Sequence, residues 1–166
     1  MGIEERLQKL EDDRAIRDLK ARYLRACDTK DPETVRDCLL PDNAVISYEG
    51  FPSFDNRDEF VAVYTQMGCA PGIFDIHHGA NGIIRFENDD RAAGQWSLFF
   101  HNINLGAKTL TQMGVEYDDV YVRKDGRWWI AETRSKRLSC TIHSVDDAGV
   151  ASVAVMGEPP ANFGEA

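Results

Sequence analysis

Apolar residues recur every three or four positions at the start of the chain, at Ile3, Leu7 and Leu10 and then at Ile16, Leu19, Tyr23 and Cys27. That spacing lays one apolar stripe on a helix and predicts helix over residues 4–27. Asp31-Pro32-Glu33 restarts a second helix, with Asp31 as N-cap and Pro32 at the first helical position, and Pro41 stops it near Leu40. Residues 44–48 (AVISY) form a short strand, followed by a Gly/Pro-containing loop through Phe54. Asn56 with Glu59 three positions on opens a further helix to about Met67.

From Ile76 the period changes. Runs at 76–87, 92–105, 109–123 and 127–138 read as strands, separated by turn signals at Asn88-Asp89-Asp90, Gly106-Ala107 and Asp125-Gly126. Turns this short join antiparallel neighbours, because a parallel connection needs a crossover of a dozen residues or more. Helices first and a long antiparallel meander after them is an α+β pattern. A strongly bent sheet wrapped around a helix encloses a cavity, the natural place for chemistry. Residues 1–156 are expected to form one domain, and the small polar stretch 157–166 a disordered tail.

Composition narrows the function classes. A chain of 166 residues that is 43% hydrophobic is one ordinary domain with room for a core and a pocket. A net charge of −9 argues against nucleic acid or an anionic membrane surface as partner. No apolar run reaches the roughly 18–20 residues of a membrane span, and the acidic N-terminus carries no signal-peptide core. Cys27, Cys38, Cys69 and Cys140 include no CxxC pair, which reads as reduced thiols in the cytoplasm and leaves no structural zinc grouping.

The candidate chemistry begins with a separated pair. Asp28 ends the first helix, against the negative end of its macrodipole, and His77-His78 enters the first long strand between apolar residues. Asp28 is either a solvated helix-end carboxylate or the partner that orients an imidazole as a general base. Tyr23 falls on the apolar stripe, as a core aromatic or a cavity donor. It shares a face with Asp28 only if the helix unwinds after Cys27.

Neighbouring strand residues point to opposite faces, so only one of His77 and His78 can enter the cavity. Alternation counted back from Ile84 and Phe86 favours His78 if those two face the cavity, and a bulge near Gly79 or the opposite facing would reverse it. His101, on the next strand, is a candidate second imidazole. Two histidines with Asp28 would also make a facial triad for iron, although no HxH or HExxH supports it. Arg134 and Arg137, late in the last long strand, are candidates to hold developing negative charge. Asn81, four after His77, is a candidate donor on its face, and Asn102 and Asn104 are further candidate donors. Trp96, Phe54 and Phe99, with Phe51, Phe74 and Phe100, supply aromatics from which an apolar pocket can be drawn.

The segments 15–19 (AIRDL) running into Tyr23, Asp28 and Asp31, then 76–81 (IHHGAN), then Tyr117-x3-Tyr121 with Asp125-Gly126-Arg127-Trp128, resemble the SnoaL-like group of the nuclear transport factor 2-like superfamily. Over residues 3 to 140 the chain is similar to the branch of scytalone dehydratase, bile-acid 7α-dehydratase and hexachlorocyclohexane dehydrochlorinase. The resemblance implies a cystatin-like, cone-shaped roll: N-terminal helices on a strongly curved, mixed but mainly antiparallel sheet around a cavity. It implies no cofactor and no metal, and a homo-oligomer, commonly a trimer, with a dimer as the alternative.

By residue, the resemblance implies Asp28 and His77 as the dyad, His77 being chosen over His78 by its spacing to Asn81. It matches Tyr23 to the helix tyrosine of the dehydratases and His101 to their second histidine, and leaves the late arginine between Arg134 and Arg137. The expected activity is a dehydratase-type β-elimination on a small hydrophobic cyclic molecule. An isomerase or cyclase using the same dyad, and a non-catalytic ligand-binding protein, are the alternatives, because this scaffold hosts all of them. His78, Asn81, Trp96, Phe99 and Phe54 are expected to bind substrate.

Overall fold

A computed structural model describes residues 2–157. Helix α1 (Ile3–Thr29) and helix α2 (Pro32–Cys38) precede strand β1 (Val45–Tyr48), helix α3 (Arg57–Met67) and strands β2 (Ile73–Asn88), β3 (Arg91–Asn104), β4 (Thr109–Lys124), β5 (Arg127–Val145) and β6 (Ala151–Gly157). The helix boundaries follow from local chemistry. The Asp31 carboxylate accepts the Thr34 N–H with Pro32 at the first turn, and the Asn56 side chain accepts the N–H groups of Asp58 and Glu59. Lys30 closes α1 in the left-handed conformation, at φ 59°.

Among the described residues six strands form one mixed, open sheet, five of them in the order β1-β5-β4-β3-β2 with β6 paired to β5 off this path, antiparallel throughout except for the parallel β1/β5 pair. The order follows from the turns, since each hairpin lays its strand beside the last. The long β5 pairs with β1 through residues 132–135 and with β6 through residues 139–145. Register shifts at Ala80/Ile83, Gly114/Val115 and Val120/Tyr121 bend the sheet around α1, as extra residues in one strand do. The core lies between them, built on Ile16, Leu19 and Leu24 from α1, Val35 and Cys38 from α2, Phe60 from α3 and Tyr121, Trp128 and Ile130 from the sheet.

Two expectations are corrected. The apolar stripe of α1 is buried only in its second half. Ile3, Leu7 and Leu10 are 82%, 54% and 69% exposed, because the first turns of the helix run past the sheet and Asp12 is the first side chain held against it, by Trp128 Nε1 at 2.8 Å and Arg123. The chain does not leave the sheet at residue 138, the expected end of the last strand, but extends β5 to Val145. It turns back through residues 146–149 and adds β6 to the edge, with Val153 and Val155 still exposed. The tail expected at 157–166 lies, from residue 158, outside the described residues.

Candidate active site

The concave side of the sheet and the helices enclose a cavity of about 440 Å³. Its wall includes Tyr23 and Cys27 from α1, Tyr48 from β1, Phe60 and Tyr64 from α3, Asp75 and His77 from β2, Phe100 and Asn102 from β3, Met113 and Tyr117 from β4, and Ser135 and Arg137 from β5. Apolar carbon makes up most of this surface, with a few polar groups converging on it, as a small-molecule site requires.

His77 stands on the inner face, with its ring against Phe100 at 4.7 Å between centroids. Its Nδ1 is 2.6 Å from Oδ1 of Asp28, and the same oxygen accepts the His77 backbone N–H at 2.9 Å. Because the carboxylate only accepts, Nδ1 carries a proton, and in the neutral ring the lone pair is then on Nε2. Asp28 lies behind the imidazole rather than in the wall. The helix continues to Thr29 without unwinding, so Asp28 and Tyr23 do not share a face. Tyr23 lines the cavity itself, as His77 does.

A bulge decides which histidine enters. Ile84 and Phe86 do face inward, but Asn81 takes φ 53° and the β2/β3 register slips between Ala80 and Ile83. The alternation therefore reverses, turning His77 inward and His78 outward. Gly82 lets the kinked strand approach its neighbour, since a Cβ there would lie 2.3 Å from Cζ3 of Trp96.

In the same cavity as His77, the Tyr23 and Tyr48 hydroxyls are 2.6 Å apart. One donates to the other, and the acceptor's own proton can turn to a neighbour, Cys27 beside Tyr23 or Thr133 beside Tyr48, or to a bound oxygen. Tyr117 packs edge-on to Tyr48, with ring centroids 5.6 Å apart. Burial pushes all three phenols above their ordinary range, and the Tyr48 hydroxyl adds to the rise of Tyr23 and Tyr117, so they are neutral donors. Beneath them, the buried Lys20 ammonium lies 3.9 Å from the Tyr117 ring centroid and 2.7 Å from Asp119 Oδ2. Asp119 in turn accepts the Tyr121 hydroxyl at 2.7 Å.

Several expected cavity residues face elsewhere, each for a reason of register. His101 pairs with Ile76 on the outer face of β3, and the inward neighbour is Asn102. Phe99 is outward and 47% exposed, and Phe100 takes the wall position. Asn81 is the bulge residue itself and donates to Ser97 on the outside. Trp96 turns inward beyond the cavity, donating to the Tyr121 hydroxyl at 3.0 Å. Phe54 packs behind the wall, against Phe51 and Phe60. Arg134 is exposed and paired with Glu132, whereas Arg137 lines the cavity and is steadied by Glu49, which accepts its backbone N–H at 2.8 Å. With His78 and His101 both outward, the two-histidine facial triad is not assembled, and no group of three metal-ligating side chains occurs among the described residues.

Sequence reasoning overlooked Tyr48, Tyr117, Asp75 and the buried Lys20. Tyr48 and Tyr117 sit in ordinary strand patterns. Asp75 carried the one available signal, since it lies two residues before His77 and therefore on its face.

Residues 8–134 match the family described as SnoaL-like domain. Among solved structures, a scytalone dehydratase-like protein of Novosphingobium aromaticivorans is similar, with 19% identity and a TM-score of 0.73 over 80% of this chain and 88% of that one. The hexachlorocyclohexane dehydrochlorinase LinA-type3 of Novosphingobium barchaimii is 20% identical, with a TM-score of 0.69 over 79% of this chain and 89% of that one. A protein of unknown function with a cystatin-like fold from Nostoc punctiforme is 18% identical, with a TM-score of 0.63 over 76% and 90% of the two chains.

Proposed function

The chain belongs to the SnoaL-like family, and from that premise we propose that it is a lyase performing β-elimination, as a dehydratase does, on a small hydrophobic cyclic molecule. The observation that carries this reading is the 2.6 Å contact of Asp28 with His77 Nδ1, which leaves Nε2 as a base at an apolar wall.

In the proposed reaction, Nε2 of His77 takes a proton from the carbon next to a substrate carbonyl. The electron pair left behind forms the new carbon–carbon double bond, and the C–O bond at the β carbon breaks. The departing hydroxide takes a proton from the Tyr23/Tyr48 pair and leaves as water. The imidazolium proton then restores the phenol through that water. Asp28 holds the tautomer and stabilises the imidazolium, and Arg137 supports charge on the carbonyl oxygen from the cavity rim. Dehydratase and dehydrochlorinase names among the structural neighbours favour elimination for this chain too.

The experiment is incubation with cyclic β-hydroxy ketones in deuterated water, followed by mass spectrometry. A product lighter by one water, together with deuterium exchange at the α carbon that His77→Gln abolishes, is the expected result. An isomer of unchanged mass would reassign the reaction to isomerisation. Binding with neither exchange nor product would make the cavity a carrier site.

We also propose a homo-oligomer, with a trimer favoured. Phe74, Ile76 and Phe99 lie together on the outer face of the sheet, and Val153 and Val155 on β6 are exposed as well, an apolar surface of the kind that partners cover. Light scattering of the purified protein gives the mass, and a monomer at micromolar concentration would overturn this.

A further inference from the structure

Asp75 and Asn102 face each other across the β2/β3 pair, and both line the cavity beside His77. Asn102 Nδ2 donates to Asp75 Oδ1 at 2.6 Å, and the other carboxylate oxygen is held by the Lys30 ammonium. The orientation of the Asn102 amide is fixed by this chemistry. A carboxylate only accepts, so the NH₂ must point to Asp75, and the amide oxygen is left over. That oxygen has no partner among the described residues.

Lys30 strengthens the arrangement from outside. It is the left-handed residue closing α1, where glycine is the usual occupant, and from there its side chain reaches the carboxylate. Asp75 and His77 are two residues apart on one strand, which sets them roughly 7 Å apart on the same wall. Ile73, Phe100 and Met113 add apolar surface to the same cavity.

We propose that Asn102, clamped by Asp75 and Lys30, is a specificity-determining subsite whose amide oxygen accepts a hydrogen bond from a hydroxyl of the ligand, set about one ring's width from the atom that meets His77. This deepens the function proposed above and rests on that reading for the identity of the reacting end. The subsite selects cyclic ligands with a hydrogen-bond donor at the far end over isosteres without one, because an unpaired amide oxygen would otherwise be buried against carbon.

The test is calorimetric binding of β-naphthol and of its methyl ether, which has the same rings but no donor. Wild-type protein is expected to prefer the naphthol by about three- to tenfold. Asn102→Leu should bring that ratio to about one, with affinity for the ether unchanged or improved. Asp75→Asn should also reduce the ratio, because the Asn102 amide is then free to turn its NH₂ to the cavity. The second variant keeps the test decisive if circular dichroism shows Asn102→Leu to be unfolded. Equal affinity of the wild type for both probes, no binding of either, or a ratio unchanged in the folded variants overturns the subsite. The naphthol preference should survive in His77→Gln, whereas absence of turnover in the wild type with that preference intact would defeat the elimination chemistry alone.

Discussion

Oδ1 of Asp28 lies 2.6 Å from the His77 ring and 2.9 Å from the same residue's backbone nitrogen, so one oxygen holds both the side chain and its strand. The two residues are 49 positions apart, and the contact ties the last turn of α1 to β2 at the point where the strand is about to kink. An acidic residue at a helix C-terminus opposes the macrodipole by about 0.3–1 kcal/mol. Two donors to one carboxylate oxygen offset that placement, and they define a single tautomer of the ring.

Asp28→Asn tests the tautomer. The amide is nearly isosteric, but it can present its NH₂ to Nδ1 and drive the proton to Nε2, where the lone pair is needed. Turnover is expected to fall by about 10⁴, the cost of the same change in a serine protease triad. The fold should persist, and ligand affinity should change little. A variant within tenfold of wild type in steady-state rate would remove Asp28 from the mechanism.

The Tyr23 and Tyr48 hydroxyls form one donor unit, so their substitutions should not add. Tyr23→Phe and Tyr48→Phe are each expected to lower kcat by about 10²–10⁴, the usual worth of a positioned acid. The double variant should match the worse single one, as residues acting as a unit do. Multiplicative losses in a double-mutant cycle would mean that the two hydroxyls act separately.

Much of this arrangement was legible in the sequence because local rules governed it. The helix caps at Asp31 and Asn56, the three tight turns and the alternation of β3 all follow from spacing a few residues long. What was not legible depends on a slip of one residue. Alternation alone turned His78 inward, and only a bulge at Asn81, which no short-range signal fixes, reverses it. The same one-residue parity separates His101 from Asn102, Phe99 from Phe100 and Arg134 from Arg137. The tyrosine cluster was invisible for another reason: Tyr23, Tyr48 and Tyr117 come from three elements that meet only in the folded sheet.

That parity yields a sharp contrast. His78→Ala and His101→Ala should leave turnover within about twofold of wild type, as outer-face substitutions do, whereas His77→Ala should abolish it. A large loss at His101 in a rate assay would mean that the β3 register assigned here is wrong.

Stability should fall on the alkaline side before it does so through ordinary surface titration. Burial, aided by the Asp28 charge, pushes the Cys27 thiol up to about 12, against about 8.5 in an unfolded chain. Below pH of about 8.5 both states hold this proton, and its contribution is fully present. Above that value the unfolded chain releases it first, so the native state binds more protons and stability declines with rising pH until the folded value is passed. Tyr23 and Tyr117, also raised, add to the decline from about pH 10. The thermal midpoint is expected to hold from neutrality to about pH 8.5 and then to drop, with a shallower drop between about pH 8.5 and 10 in Cys27→Ala. Parallel profiles for wild type and variant would show that the thiol is not responsible.

The Lys20–Asp119 pair is the most deeply buried ionic contact among the described residues, at 1% and 0% side-chain exposure. Its desolvation is only partly compensated, since Asp119 Oδ1 has no hydrogen-bond partner among the described residues. Removing one partner should therefore cost far more than removing both charges. Lys20→Met strands the Asp119 carboxylate under the tyrosine cluster and is expected to destabilise the fold by about 3–5 kcal/mol in urea unfolding. Lys20→Met combined with Asp119→Asn keeps an acceptor for the Tyr121 hydroxyl and leaves no buried charge, so most of that loss should be recovered. The double variant also separates stability from chemistry. With Lys20 gone, the cation beneath the Tyr117 ring is lost while the Tyr23–Tyr48 contact is kept. If the double variant is stable yet slow in kcat, the ammonium contributes to donor strength at the site. If it is stable and fully active, Lys20 serves the fold alone. A single Lys20→Met variant within about 1 kcal/mol of wild type would mean that Asp119 escapes the penalty that buried, unpaired charges ordinarily incur.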